Sequence, residues 1–152
     1  MSPPLPNIVL TGMMGTGKSA AGRALARLLG RTFLDTDEEV TRRAHQPIPE
    51  MIREEGWDAF RSLEAAVIRE LASPRGLVVA TGGGALLRAP AQEAAARGGT
   101  VICLHARPEI LAARIGTDSR PLLEGAEDRE ARLKQILDAR APVYDAFPLR
   151  LD

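Results

Sequence analysis

The chain has 152 residues, of which 45% are hydrophobic, and this length suits one α/β domain with a single core rather than two domains. Twenty basic residues balance twenty acidic ones, so no overall positive field favours nucleic acid or an anionic membrane surface as a partner. No apolar stretch approaches roughly 20 residues, and the N-terminus lacks the basic flank and apolar core of a secretory signal, so we expect a cytoplasmic protein.

The chain opens with a strand, a glycine-rich turn and a helix. Residues 8–10 form a short β-branched run that ends at Gly12. Apolar residues then recur with helical spacing after Lys18, until Gly30 supplies a helix stop.

The turn between this strand and this helix carries a phosphate-binding motif. Residues 12–19 match G-x-x-x-x-G-K-[ST], whose glycines let backbone N–H groups surround phosphate oxygens. Lys18 can reach the β- and γ-phosphates, and Ser19 can ligate magnesium. The residues predicted to hold the nucleotide here are Gly12, Gly15, Thr16, Gly17, Lys18 and Ser19. The motif alone does not identify the reaction, because GTPases, ATPases and small-molecule kinases share it.

Two carboxylates lie at the end of the second predicted strand, 33–35, and just after it. If the extended conformation persists, Asp35 and Asp37 point the same way, toward the phosphates. One could then help to hold magnesium while the other accepts the proton of an attacking hydroxyl. The alternative makes Asp37 a first-turn helix residue favoured by the helix dipole, with Asp35 solvated. Thr36 and Glu39 have the spacing of a capping box, which predicts a helix to about residue 44.

The middle of the chain predicts one long helix and one buried strand. We expect a break at 47–49, because two prolines flank Ile48 there. An amphipathic helix follows, with a stripe formed by Trp57, Phe60, Leu63, Val67 and Leu71. Phe60 and Trp57 fit this buried stripe, although Trp57 could also line a pocket. Residues 77–80 predict the third strand, which runs into three consecutive glycines.

The last third of the chain predicts two more strands. Residues 101–104 form the fourth strand, a helix begins at Pro108 and ends near Arg114, and 116–125 is a polar, mobile loop. A final helix spans about 128–140. Leu149 to Leu151 could be a fifth strand. Across the whole chain, the alternation of strands and helices favours a parallel sheet covered on both faces.

Together these features resemble the shikimate kinase family over nearly the whole chain. Besides the phosphate loop, the matching motifs are Asp35-Thr36-Asp37, Phe60-Arg61, Gly82-Gly83-Gly84, Arg120-Pro121-Leu122-Leu123 and Arg140-Ala141-Pro142-Val143-Tyr144. The resemblance implies a three-layer P-loop kinase fold of the nucleoside monophosphate kinase type, with a five-stranded parallel sheet and a mobile lid at about 116–126. It also implies a single domain over 1–152 and a monomer.

The resemblance further implies an acceptor site. Asp37 would bind the hydroxyls of shikimate and act as the base, while Arg61 and Arg140 would pair with its carboxylate. The segment 82–84 would approach the substrate closely, with Gly83 as the contacting glycine. Each feature has a plainer alternative: a solvated helix residue for Arg61, a charge at a helix C-terminus for Arg140, and a simple turn for the glycines. Glu64 either holds Arg61 in its working rotamer or forms an ordinary surface pair.

On the nucleotide side, the resemblance implies that Arg120 reaches ATP when the lid closes, and that Arg114 stacks on adenine. Lys18, Asp37 and Arg120 would carry the chemistry, and Ser19 and Asp35 would hold Mg²⁺. Ala20 stands where the family often has threonine, and its backbone N–H remains available near the α-phosphate. The family usually continues beyond residue 152 into an adenine-contacting loop and a final helix, which we expect to be missing.

The implied reaction is transfer of the γ-phosphoryl group of MgATP to the 3-hydroxyl of shikimate, in chorismate and aromatic amino-acid biosynthesis. The partners would be ATP and shikimate, with no nucleic acid and no membrane. Two alternatives stay open: a gluconate or nucleoside monophosphate kinase, and a nucleotide-binding module without catalysis. His45, Cys103 and His105 lack the spacing of metal ligands, so we expect them to be structural, with Cys103 buried in its strand.

Overall fold

A computed structural model describes residues 2–152 as a parallel sheet of five strands connected by helices. In chain order the elements are β1 (Asn7–Gly12), α1 (Lys18–Leu29), β2 (Phe33–Asp35), α2 (Thr36–Ala44), α3 (Ile48–Glu55), α4 (Trp57–Glu70), β3 (Val78–Ala80), α5 (Ala89–Gly98), β4 (Gly99–Leu104), α6 (Pro108–Ile115), a 3₁₀ turn (Pro121–Leu123), α7 (Arg129–Asp145) and β5 (Arg150–Leu151). The strand order is β2-β3-β1-β4-β5, and every neighbouring pair is parallel. The predicted sheet is confirmed. Within residues 2–152 no helix is long and apolar enough to cross a membrane.

Successive residues of the central strand β1 pack against different helices. Val9 is fully buried in one cluster with Ile68 of α4 and Ala95 of α5. Leu10 points to the opposite face, where a Cβ added at Gly22 of α1 would lie 3.6 Å from its Cδ1. Because neighbouring side chains of a strand point to opposite faces, α1 and α4–α5 enclose the sheet from two sides. The structure therefore has the three layers that were predicted.

The start of α2 differs from the prediction. Asp35 is the N-cap, and its Oδ1 accepts a hydrogen bond from the backbone N–H of Asp37 at 2.9 Å. Thr36 is fully buried and its hydroxyl accepts a backbone N–H of the glycine-rich segment after β3. Glu39 forms an ion pair with Arg42. The predicted capping box between Thr36 and Glu39 is wrong, because both side chains have other partners and Asp35 caps the helix one residue earlier.

The predicted break at 47–49 is displaced, since the interruption between helices covers 45–47 and the chain is helical again from Ile48. Helix α3 begins at Ile48, with Pro49 in its first turn, where a missing N–H costs no hydrogen bond. Met51 is buried and packs α3 onto α2 and α4. Gly56, at φ +91°, then separates α3 from α4. The region between β2 and β3 is therefore three packed helices, and together they form one wall of the site described below.

Helix α7 is longer than predicted. It continues past Arg140 through Asp145, with Pro142 inside it. Proline removes one backbone hydrogen bond from the helix, but the last turn is anchored by Tyr144, whose residue surface is only 3% exposed. Arg140 is therefore an interior helix residue, and the alternative that made it a charge at the helix C-terminus is wrong.

Candidate active site

The loop between β1 and α1 is organised by its own side chains. At Gly12 φ is +131°, and an added Cβ would lie 2.3 Å from the Leu104 carbonyl oxygen, so only glycine fits. The Lys18 ammonium donates to the carbonyls of Gly12 at 2.8 Å and Met13 at 2.9 Å. The Thr16 hydroxyl also donates to the Met13 carbonyl, at 2.8 Å. These contacts hold the loop in the curved form that cradles phosphate groups.

The two predicted magnesium ligands contact each other at the mouth of this loop. The Ser19 hydroxyl donates to Asp35 Oδ2 at 2.7 Å, while Asp35 Oδ1 caps α2. The pair presents a hydroxyl and a carboxylate oxygen beside the start of α1. Oxygen ligands of this kind are those that Mg²⁺ prefers, so the residues present fit the ion.

Asp37 lies in the first turn of α2. The prediction that it continues the extended conformation of β2 is therefore wrong. The carboxylate nevertheless faces the phosphate loop. The pKa of Asp37 is raised to about 6, mainly by burial and also by the nearby carboxylates of Asp35 and Glu64. The positive charges of Lys18 and Arg120 oppose this increase. Asp37 is thus a carboxylate that titrates close to neutral pH.

Lys18 has the complementary environment. The pKa of Lys18 is lowered to about 8, mainly by burial, although the Asp37 carboxylate opposes the decrease. Arg120 is close enough to lower it further by repulsion. Two cations and one carboxylate therefore converge in front of the phosphate loop.

The glycine segment, Gly82–Gly84, packs directly against charged side chains. A Cβ added at Gly82 would lie 2.6 Å from Asp37 Oδ1, and one added at Gly84 would lie 2.7 Å from Arg61 Nη1. Larger residues would therefore displace these two charges. The segment is more than the simple turn of the alternative interpretation, because it lets Asp37 and Arg61 approach the same stretch of backbone.

Arg140 reaches the same segment from α7. A Cβ added at Gly83 would lie 3.4 Å from Arg140 Nη1. The Tyr144 hydroxyl donates to the Gly83 carbonyl at 2.7 Å, and Arg140 Nη1 lies 3.5 Å from the same hydroxyl. The three predicted acceptor-binding charges therefore each adjoin one glycine of the segment.

Arg61 is held by a buried carboxylate and two aromatic rings. Its Nη1 donates to Glu64 Oε1 at 2.7 Å, and the Glu64 residue is only 4% exposed. The Arg61 guanidinium carbon lies 5.0 Å from the ring centroid of Phe60 and 5.5 Å from that of Trp57. Burial raises the pKa of Glu64, whereas Arg61 opposes the change. Glu64 is therefore not an ordinary surface partner, and α4 presents Arg61 in a fixed rotamer.

Two adjoining cavities meet at the charged centre. One, of about 230 Å³, lies between the α2–α4 region, the glycine segment and the 3₁₀ turn, and is lined by Ile48, Ile52, Trp57, Phe60, Arg61, Gly83, Leu122 and Arg140. The other, of about 280 Å³, is lined by Gly15, Gly17, Lys18, Ser19, Ala20, Asp35 and Arg114. Met14, Asp37 and Arg120 line both cavities. Trp57 is 38% exposed beside the first cavity, so its predicted place in the buried stripe is wrong.

The segment that carries Arg120 is only partly a loop. Its second half forms the 3₁₀ turn, and Leu123 is buried against α6 and α7. The preceding residues from 116 to 119 are exposed. Arg120 is thus placed between an exposed stretch and an anchored turn, at the boundary of both cavities.

Arg114 lies on the other side of the phosphate loop. Its Nη1 donates to the carbonyls of Gly15 and Thr16, both at 3.3 Å. It also lines a third cavity, of about 660 Å³, together with Ile110 and Leu151. Arg114 thus lies between the phosphate loop and this third cavity.

The residues set aside as structural lie outside the two adjoining cavities. Cys103 is fully buried between β4 and the α6–α7 pair, as predicted. His45 ends α2 in the left-handed region at φ +57°. The backbone N–H of His105 donates to the Leu151 carbonyl at 2.7 Å and joins β4 to β5.

Two residues that shape the site were given no role in it by the sequence analysis, which assigned Thr36 only to a helix cap. Thr36 accepts the N–H of Gly82 at 2.9 Å, and Tyr144 donates to Gly83. Both lie within motifs that the sequence analysis singled out: Thr36 is the middle residue of 35–37, and Tyr144 is the last residue of 140–144. Their partners are distant in sequence, so a single chain could not identify them.

The fold and the site define a P-loop kinase that phosphorylates a small molecule. A family model described as shikimate kinase matches residues 14–151. The shikimate kinase of Desulforudis audaxviator is 47% identical over 147 residues, which cover 96% of this chain and 77% of that relative. The chain therefore belongs to the shikimate kinase family and is an ATP-dependent kinase, which confirms the resemblance drawn from its motifs.

Solved structures agree with this assignment. The shikimate kinase from Acinetobacter baumannii in complex with shikimate superposes with a TM-score of 0.91 at 42% identity, over 97% of this chain and 83% of that one. A gluconokinase from Sinorhizobium meliloti superposes with a TM-score of 0.59 at 22% identity, over 98% of this chain and 83% of that one. The second similarity shows a common fold alone.

Proposed function

We propose that this chain transfers the γ-phosphoryl group of MgATP to the 3-hydroxyl of shikimate, giving shikimate 3-phosphate and ADP. The product would then enter chorismate and aromatic amino-acid biosynthesis. The observation that carries the proposal is that Asp37 and Arg120 line both the phosphate cavity and the cavity that contains Arg61 and Arg140. A carboxylated acceptor bound in that cavity would have its hydroxyls next to the transferring phosphoryl group.

Recognition of the acceptor is assigned to the two arginines and the glycine segment. Two guanidinium groups bind a carboxylate through charge-assisted hydrogen bonds, and their planar geometry fixes the orientation of the ring. Because the segment 82–84 has no side chains, the ring of the acceptor can approach Asp37 closely. Apolar walls from Ile48, Ile52 and Leu122 exclude water from around the ring.

Transfer of the phosphoryl group is assigned to Asp37, Lys18 and Arg120. Asp37 accepts a hydrogen bond from the attacking hydroxyl and takes its proton. Lys18 and Arg120 neutralise charge on the transferring group, which passes through a loose transition state that demands positioning more than covalent help. Ser19 and Asp35 would hold Mg²⁺, which when bound supplies positive charge at the β- and γ-phosphate oxygens.

The nucleotide occupies the phosphate loop and the cavity beside Arg114. Backbone N–H groups of residues 12–20 hold the phosphates, and Arg114 packs on adenine in the cavity of about 660 Å³. The segment 116–126 acts as the lid over both substrates. Its exposed first half supports this role, because closing would move Arg120 with little loss of packing.

The raised pKa of Asp37 predicts an acid limb in the pH profile. A carboxylate must be ionised to accept the hydroxyl proton, so activity falls as pH drops through the pKa of about 6. We expect kcat/KM, measured with both substrates below their KM values, to decrease by about tenfold per pH unit below that point.

Circular dichroism at each pH controls for unfolding. The variant Glu64→Gln should retain the limb but move it to lower pH, because the Glu64 carboxylate contributes to the raised pKa of Asp37. A limb that lies near the ordinary pKa of an aspartate, about 4, would contradict the assignment.

The buried Arg61–Glu64 pair predicts a second result. In Glu64→Gln the neutral amide holds Arg61 less firmly, so KM for shikimate should rise by roughly tenfold while KM for ATP stays nearly constant. Steady-state kinetics with each substrate varied in turn measures this split. Asp138→Asn is the matched control, because Asp138 belongs to an exposed pair with Lys134 on α7. Equal increases in both KM values would reject a role specific to the acceptor.

The position of the transferred phosphate tests the proposal itself. After exhaustive reaction with MgATP and shikimate, a ¹H–³¹P correlation spectrum assigns the phosphate to one ring carbon. We expect a single phosphate ester at carbon 3. Phosphate on another hydroxyl, or a phosphate that appears only as inorganic phosphate, would overturn the proposed orientation of the acceptor.

A further inference from the structure

Tyr144 is buried and lines neither cavity, but its hydroxyl contacts two residues that line the acceptor cavity, Arg140 and Gly83. It is four residues after Arg140 on α7, so the two side chains share one face of the helix. Its ring is buried in the cluster that contains Met13, Cys103 and Leu111. Packing on all sides therefore fixes where the hydroxyl lies.

The hydroxyl makes two contacts whose directions can be assigned. The Gly83 carbonyl can only accept, so the hydroxyl proton is in the bond to that oxygen, at 2.7 Å. The hydroxyl oxygen is then free to accept from Arg140 Nη1, at 3.5 Å. One hydroxyl thus links the glycine segment to the guanidinium group of α7.

Arg61 and Arg140 are held in different ways. Arg61 is paired with the buried carboxylate of Glu64. Across residues 2–152, Arg140 forms no ion pair with a carboxylate, and its other polar contact is the Met13 sulfur at 4.0 Å. Because the tyrosine hydroxyl is neutral, it contacts the guanidinium without offsetting the positive charge that attracts a bound carboxylate.

We propose that Tyr144 is a positioning residue for the acceptor: its hydroxyl ties Arg140 to the Gly83 carbonyl and holds the guanidinium ready for the carboxylate of the substrate without neutralising it. The inference rests on the proposed function, because it requires that Arg140 binds that carboxylate. It assigns the tyrosine to substrate binding rather than to stability alone.

The variant Tyr144→Phe removes only the hydroxyl oxygen and keeps the packed ring. We expect KM for shikimate to rise by roughly tenfold, with kcat and KM for ATP changed by less than about twofold. In an Arg140→Ala background the same change should add less than about twofold, because the residue through which Tyr144 acts is gone. Ile68→Val, which removes one buried methylene from the cluster between β1, α4 and α5, controls for a loss of stability without a change in KM.

Equal effects of Tyr144→Phe in the presence and absence of Arg140 would overturn the inference, as would an unchanged KM for shikimate. These kinetic results are separable from the proposed function, because turnover of shikimate by the unmodified chain is measured first. If the unmodified chain turns over shikimate and the variant is unchanged, the inference fails while the function stands.

A spectroscopic test uses the unmodified chain and does not depend on the folding of a variant. The sequence contains one tyrosine, so protein labelled with ¹³C at tyrosine Cζ gives a single tyrosine signal. Shikimate should shift this signal, because its carboxylate would polarise the Arg140 guanidinium that contacts the tyrosine hydroxyl. ADP alone should leave it nearly in place. A signal that does not respond to saturating shikimate would reject the positioning role.

Discussion

Replacement of Asp37 by asparagine is expected to remove nearly all turnover while leaving MgATP binding almost unchanged. Asparagine keeps the shape of the side chain but cannot take the proton of the attacking hydroxyl, and loss of a general base typically costs about 10²–10⁴-fold in rate. The nucleotide keeps its partners, because the phosphate loop and Lys18 are intact. Single-turnover kinetics with saturating shikimate, together with calorimetric titration of MgATP, measures both quantities.

The chain offers a matched control for this variant. Asp58 occupies the same position in α4 that Asp37 occupies in α2, the second residue of the helix, but it is exposed. Asp58→Asn makes the same chemical change at the same helix position, and its turnover should stay within about twofold. If Asp37→Asn instead abolished MgATP binding, the division between acceptor and nucleotide residues would be wrong.

Replacement of Arg140 by alanine is expected to raise KM for shikimate by roughly 10- to 100-fold, the range for loss of hydrogen bonds from a charged group. KM for ATP should change far less, because Arg140 lines the acceptor cavity and not the phosphate cavity. Steady-state kinetics with each substrate varied at saturation of the other gives both values.

Lys134→Ala is the control, since Lys134 is an exposed cation on the same helix. The methyl ester of shikimate supplies a second control, because it lacks the charge that Arg140 recognises. The variant and the unmodified chain should bind this ester with similar affinity. Equal increases in KM for shikimate and ATP would contradict the assignment of Arg140 to the carboxylate.

The sheet could be predicted because its signals are local. Each strand is a short apolar run, and the phosphate loop needs only the glycines and Lys18 in the correct order between a strand and a helix. The start of α2 shows where local signals fail. Asp35 and Thr36 are both good capping residues one position apart, and the choice depends on the bond between Thr36 and Gly82, which no local pattern reveals.

Prolines show the same limit. Pro49 lies in the first turn of α3 and Pro142 lies within α7, although each was expected to interrupt or follow a helix. A first-turn proline costs little, and an interior one is tolerated where burial of Tyr144 stabilises the turn that follows. Whether proline starts, bends or ends a helix therefore depends on tertiary packing.

The charged residues of the site could be predicted from motifs, whereas the contacts that hold them in place could not. Asp37, Arg61 and Arg140 could be named in advance, but each adjoins a different glycine only after α2, α4 and α7 have packed around the segment. The burial of Glu64 and the two bonds of the Tyr144 hydroxyl are likewise products of the fold. The sequence thus indicated the residues that are proposed to bind and react, and the structure shows the contacts that hold them.

The most direct test of this account is coupled ADP release with MgATP and a panel of acceptors: shikimate, quinate, gluconate, AMP and CMP, with a reaction lacking acceptor as the baseline. We predict turnover with shikimate that exceeds every other acceptor by at least about 100-fold in kcat/KM. AMP and CMP lack a carboxylate for the two arginines, gluconate is an open chain, and the carboxylate of quinate leaves a tetrahedral ring carbon in a different direction. Comparable turnover with gluconate or a nucleotide, or no release above the baseline with any acceptor, would contradict it.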